Sequence, residues 1–248
     1  MHVPAAAGRK EIPLPKELTE LKEKLTLACR VIATESLADG PLGHISYLLP
    51  SGQEVLIKPT EVGFEEMTEK DMVRVTLDGV KKEGHYTVPG EAPLHLEVYR
   101  TRPQVRSIVH LHPPYTTILS TQSKAFVPLC QEGVLFLHGV PRFDDTAEVI
   151  TTPEMGQATT QCLGDKRALL MTNHGLLAVG ESVEEACLTA LYLEKAIKLQ
   201  VLAEPGGSLR LIPLPVMQRM YQRAYQPGWA EKRWPYYARK AQAAFPLL

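Results

Sequence analysis

Nowhere does this chain hold the roughly 18 consecutive apolar residues that a membrane-spanning helix needs, so no membrane partner is expected. Residues Met1 to Lys10 also lack the basic region and long apolar segment of a secretory signal peptide. Charge of one sign is not in excess: 27 Lys and Arg against 28 Asp and Glu leave a net −1, which gives no electrostatic footprint for nucleic acid or an anionic membrane surface. Cysteine is scarce and scattered. Cys29, Cys130, Cys162 and Cys187 form no Cys-x-x-Cys pair, so neither a thiolate zinc site nor a dithiol motif is indicated. They read as small core residues in a reducing compartment, and a cytoplasmic location is expected.

What remains is ordinary in bulk and specific in detail. A chain of 248 residues, 44% hydrophobic and 22% charged, suits one large soluble domain or two small ones. Its most informative feature is His110-Leu111-His112, joined later by Asn173-His174-Gly175. The segment Ser107 to His112 is β-branched and apolar, bounded by Arg106 and by Pro113-Pro114, and reads as a buried strand. Side chains alternate along a strand, so His110 and His112 share one face while Val109 and Leu111 share the other. The run Ala168 to Val179 reads as two short strands about a turn that carries His174. Three imidazoles and an open position are the usual layout of a catalytic metal, whereas structural zinc closes with four ligands. Two histidines two apart on a strand are often only satisfied polar groups; the third histidine and Glu91 favour the metal. Imidazole alone does not separate zinc, manganese, iron or cobalt.

Periodicity organises the rest. Leu18, Leu21, Leu25, Ala28 and Ile32 predict an opening amphipathic helix that ends near Asp39-Gly40-Pro41, after an extended, proline-marked arm over residues 1–15. His44 to Leu49 and Glu54 to Lys58 flank Pro50-Ser-Gly-Gln53 as a hairpin, and Met72 to Leu77 is a further strand. Helices are predicted over Ala92 to Arg102, from Pro113 to about Ser120, over Pro153 to Leu163, and from the capping box Ser182-Val-Glu-Glu185 to Ala203. Helices and strands interleave over residues 16–203 without a linker, which predicts one α/β domain. The tail, residues 204–248, holds Trp229 and Trp234 with Tyr225, Tyr236 and Tyr237, and is expected to pack on its own domain or a neighbouring subunit.

An ordered set of short motifs carries a resemblance: Gly43-His-Ile-Ser46, Ile57-Lys-Pro-Thr60, Glu66-Met-Thr68, Gly90-Glu91 before Leu94-His95, Arg102-Pro103, His110-Leu-His112 and Asn173-His174-Gly175. In order and spacing it resembles the class II aldolase and adducin-head family over about residues 16–203. The resemblance implies a three-layer α/β/α sandwich around a mainly antiparallel sheet, commonly a homotetramer. It implies one divalent metal on His110, His112 and His174, with Glu91 as the acid/base carboxylate. Adducin heads lack the metal ligands, which this chain keeps.

Departures from the phosphate-binding aldolases of that family narrow the substrate. Where those carry Gly-Asn, Thr-Gly and Ser-Ser, this chain has Gly43-His44, Thr60-Glu61 and Pro89-Gly90. Hydroxyl donors are lost and a carboxylate arrives, so a phosphorylated substrate is not expected. The Gly-His-Ile-Ser turn and Gly139 to Asp144 look like the branch containing decarboxylases of aromatic or dienoic hydroxy acids. The expected function is a metal-dependent carbon–carbon lyase, decarboxylase or aldolase, working through a metal-stabilised enolate on a small oxo- or hydroxy-acid. A dehydratase, an epimerase, an iron-dependent oxygenase and a non-enzymatic adducin-like scaffold are the alternatives. Gly43, His44 and Thr60 are the expected substrate-binding positions, although His44 also suits a turn cap. Lys58 and Arg142 read either as carboxylate binders or as solvated surface charges. His85, His95 and His138 read as structural or exposed, and Tyr115 as core.

Overall fold

The computed structural model describes residues 16–38 and 40–245, so the expected arm lies outside the described residues. Among the described residues, eight strands make a single sheet: β1 (His44–Leu48), β2 (Glu54–Ile57), β3 (Val73–Thr76), β4 (Lys81–Glu83), β5 (Ser107–Leu111), β6 (Arg142–Phe143), β7 (Ala168–Met171) and β8 (Gly175–Gly180). Their spatial order is β4-β3-β2-β1-β5-β8-β7-β6, and every pairing is antiparallel except β6 with β7. Seven α-helices accompany them among the described residues: α1 (Lys16–Thr34), α2 (Ala92–Thr101), α3 (Pro114–Ser120), α4 (Pro153–Leu163), α5 (Val183–Ala203), α6 (Leu214–Ala224) and α7 (Trp229–Ala244).

The sheet's two faces bury separate cores, which makes this a three-layer α/β/α sandwich. Val109 and Leu111 of β5 join Ile45, Leu56, Leu170 and Leu176 against α1, α5 and α7. Ile108 joins Val55, Ile57, Val73, Leu169 and Leu177 against α2 and α4. Period-two alternation therefore turns His110, next to Ile108, toward the α2 side.

Local chemistry sets the boundaries. Gly52, at φ +70, turns the β1–β2 hairpin. The Thr152 hydroxyl accepts the Met155 N–H at 3.3 Å and Pro153 opens α4, while Gly164, at φ +55, closes it. Ser182 caps α5 by accepting the Glu185 N–H at 3.1 Å, but the Glu185 carboxylate reaches back to the Glu181 N–H, one residue before the capping-box partner. Ser36, at φ +56, follows the end of α1 at Thr34, earlier than Gly40-Pro41 suggested. Strands β4 and β6 were not foreseen: Lys-Lys-Glu and Arg-Phe are too short to show alternation.

Tail residues share the α1/α5 core. Trp229, Trp234, Tyr237 and Ala241 of α7 are buried there, and the Tyr225 hydroxyl donates to the Gln131 carbonyl at 2.8 Å. Each such aromatic contributes about 1.5–3 kcal/mol of apolar burial. At the chain's other end of this layer, Glu35 takes ion pairs from Lys240 (2.7 Å) and Lys195 (3.5 Å).

Candidate metal centre

Three segments that are distant in sequence meet at one end of the sheet. His110 is the penultimate residue of β5 and pairs in register with His44 of β1 and Leu177 of β8. Its Nδ1 lies 2.9 Å from the Leu176 carbonyl. A carbonyl only accepts, so that nitrogen carries the proton and Nε2 keeps its lone pair facing inward. His112 follows the strand, where Pro113 and Pro114 start α3. His174 sits in the β7–β8 turn beside Asn173, whose φ of +54 is left-handed backbone that asparagine tolerates. Gly175 must be glycine: a Cβ there would stand 2.2 Å from the Leu111 carbonyl oxygen and 2.9 Å from His112 Cδ2. That approach seats His174 on His112, with ring centroids 4.9 Å apart and planes 15° apart.

Glu91 comes from the other side, at the start of α2. Its side chain makes no capping bond to that helix. Instead Oε1 accepts the Ile150 N–H at 3.0 Å, Oε2 lies 3.3 Å from His110 Nε2, and Oε1 lies 3.7 Å from His174 Nε2. Burial alone would raise its pKa. When His110 is protonated, its hydrogen bond and charge, with the Ile150 N–H and His174, outweigh burial and hold the carboxyl well below the usual range.

One donor atom from each of Glu91, His110, His112 and His174 lies within 4.8 Å of all the others. Nitrogens bound at about 2.0–2.1 Å on a tetrahedral ion stand roughly 3.3 Å apart, and His110 Nε2 and His112 Nε2 are 3.1 Å apart. Two ring nitrogens so close need a shared proton or a cation between them. Burial first, then charge repulsion with the His110 ring, pushes His112 down to about 3 and His174 down to about 4. Neutral imidazoles with free lone pairs are what a divalent ion requires, so the donor set fits one.

A cavity of about 410 Å³ opens beside these groups. Gly43, His44 and Thr60 line it with Glu91, His112 and His174, and no Lys or Arg does among the described residues. The other charged candidates sit elsewhere. Glu61 turns its carboxylate to the Thr87 hydroxyl and N–H, so it supplies no repulsion in the cavity. Arg142 donates to the Ser120 carbonyl at 2.8 Å and the Lys124 carbonyl at 2.6 Å, closing off the end of α3. Neither of these lines the cavity.

Lys58 is fully buried rather than solvated, because its ammonium holds the Pro41 and Pro59 carbonyls, both at 2.8 Å, and lies 4.4 Å over the Phe64 ring. Burial pushes its pKa down to about 8. An unfolded lysine titrates near 10.4, so between those values the unfolded chain binds the extra proton and stability rises with pH. Urea titrations of wild type and Lys58→Met should therefore show wild type gaining on the variant by on the order of 3 kcal/mol from pH 8 to 10.5. A pH-independent difference would rule out a depressed Lys58.

His95 belongs beside the site. It is fully buried one helical turn after Glu91, with Nδ1 2.8 Å from the Ser46 hydroxyl, which is 2.7 Å from the Tyr99 hydroxyl. Its ring lies 5.8 Å from that of His44, centroid to centroid, and both His44 nitrogens are buried without a partner among the described residues. The i, i+4 spacing from Glu91 was the available signal. His85 and His138 are exposed, the latter against Tyr221.

Residues 23–201 match the Class II Aldolase and Adducin N-terminal domain. The chain belongs to that family. It is 33% identical over 208 residues to a 3,4-dihydroxyphthalate decarboxylase of Arthrobacter keyseri, covering 77% of this chain and 82% of that protein. A 3,4-dihydroxyphthalate decarboxylase of Rhodococcus jostii (strain RHA1) is 30% identical over 196 residues, covering 73% and 80%. Among solved structures, L-fuculose 1-phosphate aldolase from Glaciozyma antarctica PI12 superposes with a TM-score of 0.84 at 23% identity, covering 96% of this chain and 94% of that one. This last likeness is one of fold. Among the described residues, no helix is long and apolar enough to cross a membrane.

Proposed function

We propose that this protein is a metal-dependent carbon–carbon lyase that decarboxylates a small, non-phosphorylated hydroxy- or oxo-acid. The observation that carries the reading is the convergence of Glu91, His110, His112 and His174 on a cavity without Lys or Arg among its described lining residues. The decarboxylase names of relatives at 30–33% identity support it. His110, His112 and His174 would hold the ion. When bound, a divalent ion supplies a Lewis acid for a substrate oxygen and so draws off the electron pair left by the breaking bond.

The chain's own residues do the rest. Leu176 holds His110 in one tautomer, and Ile150 holds the Glu91 carboxylate aimed at the histidines. Glu91 is ionised, and takes or returns the proton at the reacting carbon. Gly43, His44 and Thr60 seat the substrate, with the unpartnered His44 nitrogens facing a polar group on it. Retro-aldol cleavage is the second reading, since the same groups serve a bond that leaves its electrons next to a carbonyl. The adducin-like scaffold reading is disfavoured by the intact donor set.

The test is a panel of hydroxy-aromatic acids and 2-oxo-4-hydroxy acids with added zinc, manganese, iron or cobalt, scoring carbon dioxide and aldehyde separately. Carbon dioxide release is expected, with kcat/KM above that for L-fuculose-1-phosphate and L-ribulose-5-phosphate. Higher kcat/KM on either sugar phosphate would overturn the reading. We also propose a cytoplasmic homotetramer, in keeping with four cysteines that are all free thiols. Light scattering should give four 27.5 kDa chains, and a monomer at micromolar concentration would sink that assembly.

A further inference from the structure

A second cavity, of about 290 Å³, lies at the other end of the central strands. Strands β5 and β8 run antiparallel, with Leu111 beside Leu176 near the metal centre and Ser107 beside Gly180 at the far end. Roughly 13 Å of strand separates the two ends. Val105, Phe136 and Val179, all buried, give this cavity an apolar wall. Arg102, Lys166 and Arg167 bring three cations to it. Two of these are already neutralised, since Lys166 pairs with Asp165 at 2.5 Å and Arg167 pairs with Glu185. Arg102 has no ion pair among the described residues. Its Nη1 donates to the Lys166 carbonyl at 2.8 Å, and its Nε is buried with no partner among the described residues.

A guanidinium tied at Nη1 keeps the edge formed by Nε and Nη2, whose parallel N–H bonds match the two oxygens of a carboxylate. A buried charged donor without an acceptor is costly, and a carboxylate seated on that edge removes the cost. We propose that this cavity is a second ligand site, which takes an organic monocarboxylate with its carboxylate on the Arg102 edge and its apolar body against Val105, Phe136 and Val179. The site makes no use of the metal ion. Charge selects one negative group and not two: with Asp165 and Glu185 spent on the other cations, the exposed carboxylate of Glu181 remains at the cavity, and a phosphate dianion would meet it with Arg102 alone to offset the repulsion. The cavity also joins the domain to its tail. Tyr221 of α6 lines it, with its hydroxyl 3.5 Å from Arg167 Nη2, so a bound acid should stabilise the folded chain.

Calorimetry on the zinc- or manganese-loaded protein tests it with hexanoate, beside hexan-1-ol, which lacks the carboxylate, and inorganic phosphate, which lacks the apolar body. Hexanoate should bind wild type saturably, and about as tightly in His174→Ala, which separates this site from any carboxylate taken up by the metal centre. Arg102→Gln should weaken it by roughly tenfold or more, as for lost hydrogen bonds to a charged group, and the alcohol and phosphate should bind wild type more weakly by a similar factor. Glu181→Gln, at an exposed position, should tighten hexanoate by about twofold. Hexanoate should raise the melting temperature of wild type and not that of Arg102→Gln. No saturable binding to wild type, affinity unchanged in Arg102→Gln or lost in His174→Ala, or hexan-1-ol binding as tightly as hexanoate overturns the proposal. So does a change of assembly size in Arg102→Gln, since the edge would then hold a carboxylate of a second copy of the chain. Should Arg102→Gln fail to fold, the Glu181→Gln titration decides, and unchanged or weaker hexanoate binding there overturns the site.

Discussion

His174→Ala should reduce metal content after dialysis from about one ion per chain to a small fraction of that. Removing one of three imidazoles weakens a site more than removing an outer partner, and outer partners alone are worth about 10–100-fold in affinity. The side chain stands at a turn, largely but not wholly buried, and its backbone N–H is tied to the Met171 carbonyl at 3.1 Å whatever the side chain is. The variant should therefore fold. Its melting temperature should be insensitive to a chelator, whereas wild type should lose the stabilisation that a bound ion gives to the folded state. His138→Ala, which alters an exposed histidine packed on Tyr221, is the control and should keep its metal. Full metal loading of His174→Ala, measured by elemental analysis, would remove His174 from the ligand set.

The parts of this site that were legible in sequence are those that depend on backbone period and on turn chemistry. Alternation along residues 107–112 put His110 and His112 on one face of a strand, and the break at Asn173 put His174 in a turn; the sheet order then brings β8 alongside β5. The start of α4 followed from Pro153, because a proline suits a helix's first turn whatever surrounds it. What was not legible depends on tertiary burial. Lys58 and Arg142 look like surface charges until backbone carbonyls from other segments are seen to accept their hydrogen bonds. His95 shares a face of α2 with Tyr99 by i, i+4 spacing, but nothing near it in sequence reveals Ser46, 49 residues away, at its Nδ1. Glu61 looked like an intruder in an anion site, yet Thr87, 26 residues away, draws it aside. In each case the deciding partner is a group that folding supplies.

The role of Glu91 is where sequence and structure part most usefully. A carboxylate just before Ala92-Pro93 is well placed to cap α2, and the helix dipole would favour it there. The side chain makes no such cap; it is spent on Ile150, His110 and the neighbourhood of His174. Glu91→Gln keeps the size of the side chain and an oxygen to accept the Ile150 N–H, but it has no carboxylate to carry a proton. Turnover should fall by about two orders of magnitude or more, the usual worth of a positioned acid or base. Fold and metal content should stay close to wild type, because the three imidazoles are untouched. The loss should appear in kcat and in kcat/KM alike, as for a group that acts in the transition state and not in ground-state binding. A structural carboxylate predicts the reverse: a lower melting temperature, with turnover per folded, metal-loaded site nearly intact. Circular dichroism melts, elemental analysis and steady-state kinetics on one preparation separate the two, and the second pattern would leave the proton transfer to another group.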